Sequence, residues 1–319
     1  MTAKKAAVIY NPIKVDLDAL RTAVRDEPGA AGWSLDWLPT SEEDAGQGPA
    51  RAALDAGAEL VIVAGGDGTV RAVAEVVAGS TVALALLPSG TGNLLARNMK
   101  LTLNDTAHSL ETAFSGEDHP IDVARIDIRR PDGSVDSHAF LVMAGTGLDA
   151  QVMSNTDDEL KKKAGWLAYA QALVVALRDK NILRLSYQLQ GHRTRSERAL
   201  AVVVGNCGSL PANIMLLPEA AIDDGLLDII VLKPESVRGW LAVIIKIFWE
   251  NGIIKRTALG RRMKELDTRS VDLRQGAGVA IKLNRPEIVQ LDGDPFGDMT
   301  GCRVAVDPGA LVIRVPASE

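Results

Sequence analysis

Residues 63–70 read V-A-G-G-D-G-T-V. A short apolar run ends in three glycines around one carboxylate, and Thr69 stands where a following helix can begin. Glycines let backbone N–H groups approach an anion closely, and a helix N-terminus adds partial positive charge. Asp67 sits where a bare phosphate would be repelled, so the pairing makes chemical sense with Mg2+ between carboxylate and phosphates. The plain alternative is a tight strand-to-helix turn with Asp67 as its cap.

Around this stretch the first 120 residues alternate in texture. Ala6–Tyr10, Trp33–Leu38, Glu59–Ala64 and Val82–Leu87 read as strands, and Leu17–Val24, Gly48–Gly57 and Thr69–Val77 as helices. Short apolar strands separated by amphipathic helices predict βαβ units and a parallel sheet covered on both faces. A second Gly-rich turn, L-P-S-G-T-G-N-L at 87–94, repeats the design after the fourth strand, and Asn11-Pro12 follows the first. Turns at the carboxyl ends of parallel strands share the rim where open α/β sheets bind ligands, which points to a nucleotide. No G-x-x-x-x-G-K-[ST] occurs and no G-x-G-x-x-G opens the first helix, so neither a P-loop NTPase nor a Rossmann dehydrogenase is expected.

From Ile121 onward strand-like runs dominate: Ile121–Arg129, His138–Met143, Ile182–Leu189, Leu200–Val204, Leu226–Leu232, Thr268–Leu273, Val279–Leu283, Ile288–Leu291 and Leu311–Val315. Two apolar helical stretches interrupt them, near Ala164–Leu177 and Val237–Trp249. The expected fold is an α/β N-terminal domain with a parallel nucleotide-binding sheet, followed by a mainly β (α+β) second domain.

Across 319 residues, 47% hydrophobic content and a mean hydropathy of +0.08 support sizeable cores. A net charge of −6 argues against a general nucleic-acid binder. The charge is uneven: residues 1–121 hold 9 Lys/Arg against 16 Asp/Glu, the remainder 26 against 25. The second half is therefore the one suited to an anionic surface. Cys207, Cys302 and four scattered histidines form no zinc-ligand spacing, and two cysteines suit a reduced cytoplasmic protein. The N-terminal apolar run is too short for a signal-peptide core, and Leu241–Trp249, broken by Lys246, falls short of a membrane span.

N-P near the start, G-G-D-G-T, P-S-G-T-G-N, A-I-D-D-G-L-L-D at 221–228 and Q-L-D-G-D-P-F-G at 290–297 occur in one order along nearly the whole chain. Together they resemble the diacylglycerol kinase catalytic family, which includes sphingosine kinases and bacterial lipid kinases. The resemblance implies a two-domain, ATP- and Mg2+-dependent kinase that phosphorylates a lipid hydroxyl, such as that of diacylglycerol, in the interdomain cleft. The change of texture near residue 121 divides the chain into a nucleotide-binding domain at 1–121 and a β-rich lipid-substrate domain at 122–307, and the resemblance implies a C-terminal return over about 308–319 that completes the first. Asn11, Thr40, Gly66, Asp67, Gly68, Thr69 and Thr91 match its nucleotide-contact positions, and Asp67 its carboxylate that organises Mg–ATP through water. Asp122 matches an acidic residue supporting that network. Asp224 with the carbonyls of Ala221 and Leu226 resembles a second, structural Mg2+ site, for which a simple turn at 223–225 is the alternative.

The chain departs from the family at telling places. Where D-G-E is usual it has Asp292-Gly293-Asp294, so Asp294 inherits the role of general base on an arm shorter by roughly 1.5 Å. The position after P-S-G-T-G-N, acidic in some bacterial members, is Leu94, and Arg71-Ala72 replaces a usual Asn-Glu.

A lipid kinase must reach a bilayer. Residues 238–264 carry seven Lys/Arg against Glu250 alone, with Trp240, Phe248 and Trp249, as a peripheral membrane patch requires. Lys161-Lys162-Lys163 before Trp166 and Tyr169 is a weaker candidate; core helices with solvated charges are the alternative for both. The expected setting is cytoplasmic, peripheral at the inner membrane face, with oligomeric state left open, a homodimer included. Two rival functions remain: a soluble-substrate kinase of the NAD kinase or phosphofructokinase type, and a non-catalytic nucleotide- or lipid-binding relative.

Overall fold

Four apolar segments, β1 (Lys4–Tyr10), β2 (Trp33–Pro39), β3 (Leu60–Gly65) and β4 (Ala83–Pro88), pair in parallel in the order β2-β1-β3-β4. The computed structural model describes residues 4–90, 92–147, 182–210, 214–215, 217, 220–233 and 271–317. Every residue of β3 is buried, as a strand covered on both faces requires. Its alternate side chains enter different cores. Val61 and Val63 pack with Val73 and Val77, and Leu60 and Ile62 with Leu20 and Leu110. The covering helices are α1 (Leu17–Asp26), α2 (Gln47–Asp55), α3 (Asp67–Val77), α4 (Leu94–Asn98) and α5 (Thr106–Ser115).

Twelve strands follow: β5 (Glu117–Arg129), β6 (Val135–Phe140), β7 (Met143–Thr146), β8 (Leu183–Leu189), β9 (Arg195–Ala199), β10 (Ala201–Gly205), β11 (Ser209–Leu210), β12 (Ile214–Met215), β13 (Leu227–Leu232), β14 (Val271–Gly276), β15 (Gly278–Leu291) and β16 (Asp294–Val315). Except for the separate β11–β12 pair, they join the parallel strands in one continuous sheet. Two long strands make the join. β16 runs antiparallel to β15 and then β5, and near its end Val312 and Ile313 pair in parallel with Ala83 and Leu84 of β4. A third core, including Ile126, Phe140, Tyr187, Val202 and Val304, fills the β-rich part.

The expected class, a parallel α/β sheet followed by a β-rich part, is the class observed. Particular elements differ. Val279–Leu283 and Ile288–Leu291 belong to the single strand β15, because Pro286 falls where the β15–β16 register shifts and no ladder hydrogen bond is asked of it. β16 begins seventeen residues before the expected Leu311, and its Pro308-Gly309 lies at another register shift, with Gly309 at φ +60°. β9, α4 and α5 are not anticipated at all. Thr91, the helical stretches at 164–177 and 237–249, Lys161–Lys163 and the basic segment 238–264 lie outside the described residues. Among the described residues no helix is long and apolar enough to cross a membrane.

Candidate active site

The carboxyl ends of β1 to β4 carry the predicted nucleotide residues side by side. Asn11 follows β1; its N–H donates to Ala64 O (3.0 Å), and its Oδ1 accepts from the N–H groups of Ile13 (2.9 Å) and Lys14 (3.2 Å). Buried Thr40 follows β2 and donates its N–H to Tyr10 O (2.9 Å). Gly66 ends the turn after β3, and α3 begins at Asp67, two residues before the expected Thr69. The turn after β4 packs backbone on backbone against it. A Cβ on Gly90 would lie 2.9 Å from Gly66 Cα, so only glycine allows this approach. Asn93 closes that second turn from a left-handed conformation (φ 47°), accepting from Gly90 N–H (3.1 Å) and donating to Gly90 O (2.7 Å).

Asp67 is not a helix cap. Its Oδ1 accepts the N–H of Leu94 (2.5 Å) across the two turns and so binds them together. Burial pushes its carboxyl above the usual range, and the neighbouring Asp294 charge adds to this against the amides of Leu94 and Asn93. Asp294, from the far end of the chain, comes within 2.7 Å (Oδ2) of the position a Cβ on Gly68 would take. Two carboxylates, near enough for the Asp294 charge to raise Asp67, thus stand beside the Gly-rich turns. Among the described residues no three His, Cys, Asp or Glu side chains converge into a protein-only metal cage. The donor set therefore fits Mg2+ held by one or two carboxylates together with phosphate oxygens and water.

Asp294 is delivered by a two-residue hairpin. Asp292 (φ 50°) and Gly293 (φ 95°) link β15 to β16, with Leu291 opposite Asp294, the geometry of a type I′ turn. The two aspartates of D-G-D divide the work. Asp294 is exposed, whereas Asp292 is 5% exposed and its carboxylate accepts the N–H groups of Leu141 (2.9 Å), Val142 (2.8 Å) and Met143 (2.9 Å). Burial lifts Asp292 to about 6, with the three amides and the Arg71 charge opposing it. Asp292→Ala leaves three amides, two of them buried, without their acceptor and should destabilise the fold by about 3 kcal/mol or more, read by urea unfolding. The raised folded value means the native state holds this proton more tightly than the unfolded chain. The wild-type advantage should thus narrow as pH rises from about 4 to about 6. An advantage that widens over that window would contradict the assignment.

Asp122 lies elsewhere along the chain's hydrogen bonds. Its buried carboxylate accepts from Gly225 N–H (2.6 Å) and Gly309 N–H (2.8 Å), and its own N–H donates to Ile222 O (2.8 Å). It clamps the 221–226 loop to β5 (the loop in which Ala221, Asp224 and Leu226 reside), and these contacts run to the loops rather than to the Gly-rich turns. Asp224 Oδ1 accepts Leu226 N–H at 2.9 Å, as a turn residue does. Asn206 joins this region to the Asp292 network by donating to Asp122 O and Leu141 O, both at 3.0 Å.

Other residues belong to the site without being singled out as candidates by sequence. Lys14 Nζ lies 2.9 Å from the position of a Cβ on Gly66, placing a cation over the first turn. Nothing local in N-P-I-K announces this; the pairing depends on how the β1 and β3 loops meet. Asn93 and Asp292 stand in the quoted motifs, but their roles as turn closer and buried anchor rest on tertiary contacts.

Comparison with known proteins agrees with this architecture. Residues 5–126 match the model of the diacylglycerol kinase catalytic domain, and 142–315 that of the YegS C-terminal NAD kinase beta sandwich-like domain. A Pseudomonas fluorescens protein named "Probable lipid kinase YegS-like" is 32% identical over 99% of this chain and 95% of its own. A Pseudomonas putida protein of the same name is 29% identical over 100% and 98%. The crystal structure of a "putative diacylglycerol kinase" from Bacillus anthracis superposes with a TM-score of 0.72 at 25% identity, covering 98% and 96% of the two chains. Yeast NADH kinase shares the fold alone, with a TM-score of 0.57 at 10% identity over 100% and 84%. Full-length identity at this level, with two adjoining domain matches, makes the chain a kinase that belongs to the YegS-like lipid kinases.

Proposed function

We propose that the protein transfers the γ-phosphoryl group of Mg–ATP to the hydroxyl of a membrane lipid such as diacylglycerol, in the cleft between the Gly-rich turns and the Asp292–Asp294 hairpin. The observation that carries this reading is the convergence of Asp67 and Asp294, 227 residues apart in the chain, beside the turn amides. The amides of the two turns, with Asn11, Thr40, Thr69 and Lys14 around them, bind and orient the phosphates. Thr91 joins them on its motif alone. Asp294 takes the proton of the acceptor hydroxyl as its oxygen forms a bond to the γ-phosphorus; the bond from that phosphorus to the β,γ-bridging oxygen breaks, and ADP leaves with the electron pair. Mg2+ bound through Asp67 would neutralise phosphate charge.

A second, structural Mg2+ at Asp224 with the carbonyls of Ala221 and Leu226 is proposed from the motif, in a loop that Asp122 already holds. Access to the bilayer is assigned to residues 238–264 on charge and aromatic content.

The soluble-substrate reading rests on the G-G-D-G turn at residues 65–68, which NAD kinases and phosphofructokinases also use. Radiolabelled ATP offered separately with extracted bacterial lipids, NAD and sugar phosphates decides between them. Label should enter the lipid phase. Label on NAD or a sugar phosphate would overturn the lipid reading, and none on any acceptor would favour a non-catalytic relative.

A further inference from the structure

Below the Asp67–Asp294 pair, α3 and β16 touch again. Arg71 stands one helical turn from Asp67 on the same face, and Phe296 two residues along the strand from Asp294, again on the same face. The Arg71 guanidinium carbon lies 4.4 Å from the Phe296 ring centroid. Arg71 is only 5% exposed, and its Nη1 is 3.6 Å from Glu75 Oε2 one turn further down. Its Nε and Nη1 have no hydrogen-bond partner among the described residues, so stacking and charge hold it rather than directed hydrogen bonds. Phe296 is backed on another side by His138, ring to ring at 4.9 Å, and His138 Nδ1 is 3.8 Å from the same Glu75 oxygen. Glu75 also accepts the N–H of Ala139 (3.1 Å). Burial raises the Glu75 carboxyl, but His138, Ala139 and Arg71 outweigh it and keep the group below its usual range.

A buried cation is a costly way to fill space beside an aromatic ring, and an apolar side chain would pack there without desolvation loss. Its placement explains the charge. Arg71 lies between Asp67 and Glu75 along α3, and its charge favours the ionised form of Asp292, the anchor of the hairpin that carries Asp294. Arg71 therefore packs on the strand that carries Asp294, two residues past it. We propose that Arg71 is a positioning residue for phosphoryl transfer: stacked on Phe296, it sets how far the short Asp294 carboxylate stands from the nucleotide turn. This inference rests on the reading of Asp294 as the base.

The test compares Arg71→Met, which keeps length and bulk without charge, and Arg71→Lys, which keeps charge without the planar stack. Each is made alone and with Asp294→Glu. Transfer is followed with radiolabelled ATP and extracted bacterial lipids. A misplaced base should lower turnover about tenfold or more in Arg71→Met while KM for ATP changes less than about twofold. Adding Asp294→Glu, with its longer arm, should recover much of that loss, which a general weakening of the fold would not allow. Phe296→Leu should behave like Arg71→Met, and it provides the same comparison if Arg71→Met fails to fold. Wild-type turnover in Arg71→Met, or an equal loss with and without Asp294→Glu, overturns the positioning role. Full activity of Asp294→Asn would instead overturn the reading beneath it.

Discussion

Asp294→Asn should bind ATP and fail to transfer its phosphate. The substitution keeps the hairpin, because Asp292 and Gly293 make the turn and Asp292 holds the amides of Leu141, Val142 and Met143. What disappears is the carboxylate beside Gly68 that is proposed to accept the proton. Positioned general bases contribute roughly 10²- to 10⁴-fold, so turnover should fall within that range. Nucleotide affinity should stay the same or tighten slightly, since one negative charge fewer faces the phosphates. Equilibrium nucleotide titration and lipid labelling on one preparation separate the two properties. If both remain as in the wild type, another carboxylate takes the proton.

Asp67→Asn removes the second of the two charges and nearly preserves shape. The asparagine oxygen can still accept the Leu94 N–H, so the two turns should remain joined. Loss of the carboxylate proposed to hold the cation should lower turnover on the order of 10²-fold. A pH signature accompanies it. Burial, aided by Asp294, holds the Asp67 carboxyl above its ordinary value, so wild-type turnover should fall as pH drops through that raised value and the group takes up a proton. In Asp67→Asn that limb should vanish. Near wild-type turnover from well-folded Asp67→Asn would remove Asp67 from the mechanism.

How much of this was legible in the sequence depended on where the determining contacts lie. The parallel sheet was legible because β1, β3 and β4 are apolar runs buried on both sides, and such runs keep one meaning over their whole length. α5 was not, since the small and polar residues of T-A-H-S-L-E-T-A-F-S give a weak pattern, although the side chain of Asp105 caps it by accepting the His108 N–H. β16 was hidden by Pro295, Gly297 and Pro308-Gly309, turn residues that a long strand tolerates at its start and at bulges. The Gly-rich turns were legible because close backbone approach leaves glycine little alternative. The pairing of Arg71 with Phe296 was not, because it depends on the register between α3 and β16, which no local pattern encodes. D-G-D was readable as a turn; that Asp292 is its buried anchor required the amides of residues 141–143.

Phosphorylation of a lipid by ATP and a divalent cation at the Asp67–Asp294 pair is the proposed activity. It is tested most directly by labelling extracted lipids with radiolabelled ATP at increasing Mg2+, then chelating the metal with EDTA. Label should appear in the lipid phase as a phosphate monoester, rise with Mg2+ to saturation, and stop on chelation. Lipid labelling at an undiminished rate in EDTA, or saturating Mg2+ with no label reaching the lipid phase, would contradict it.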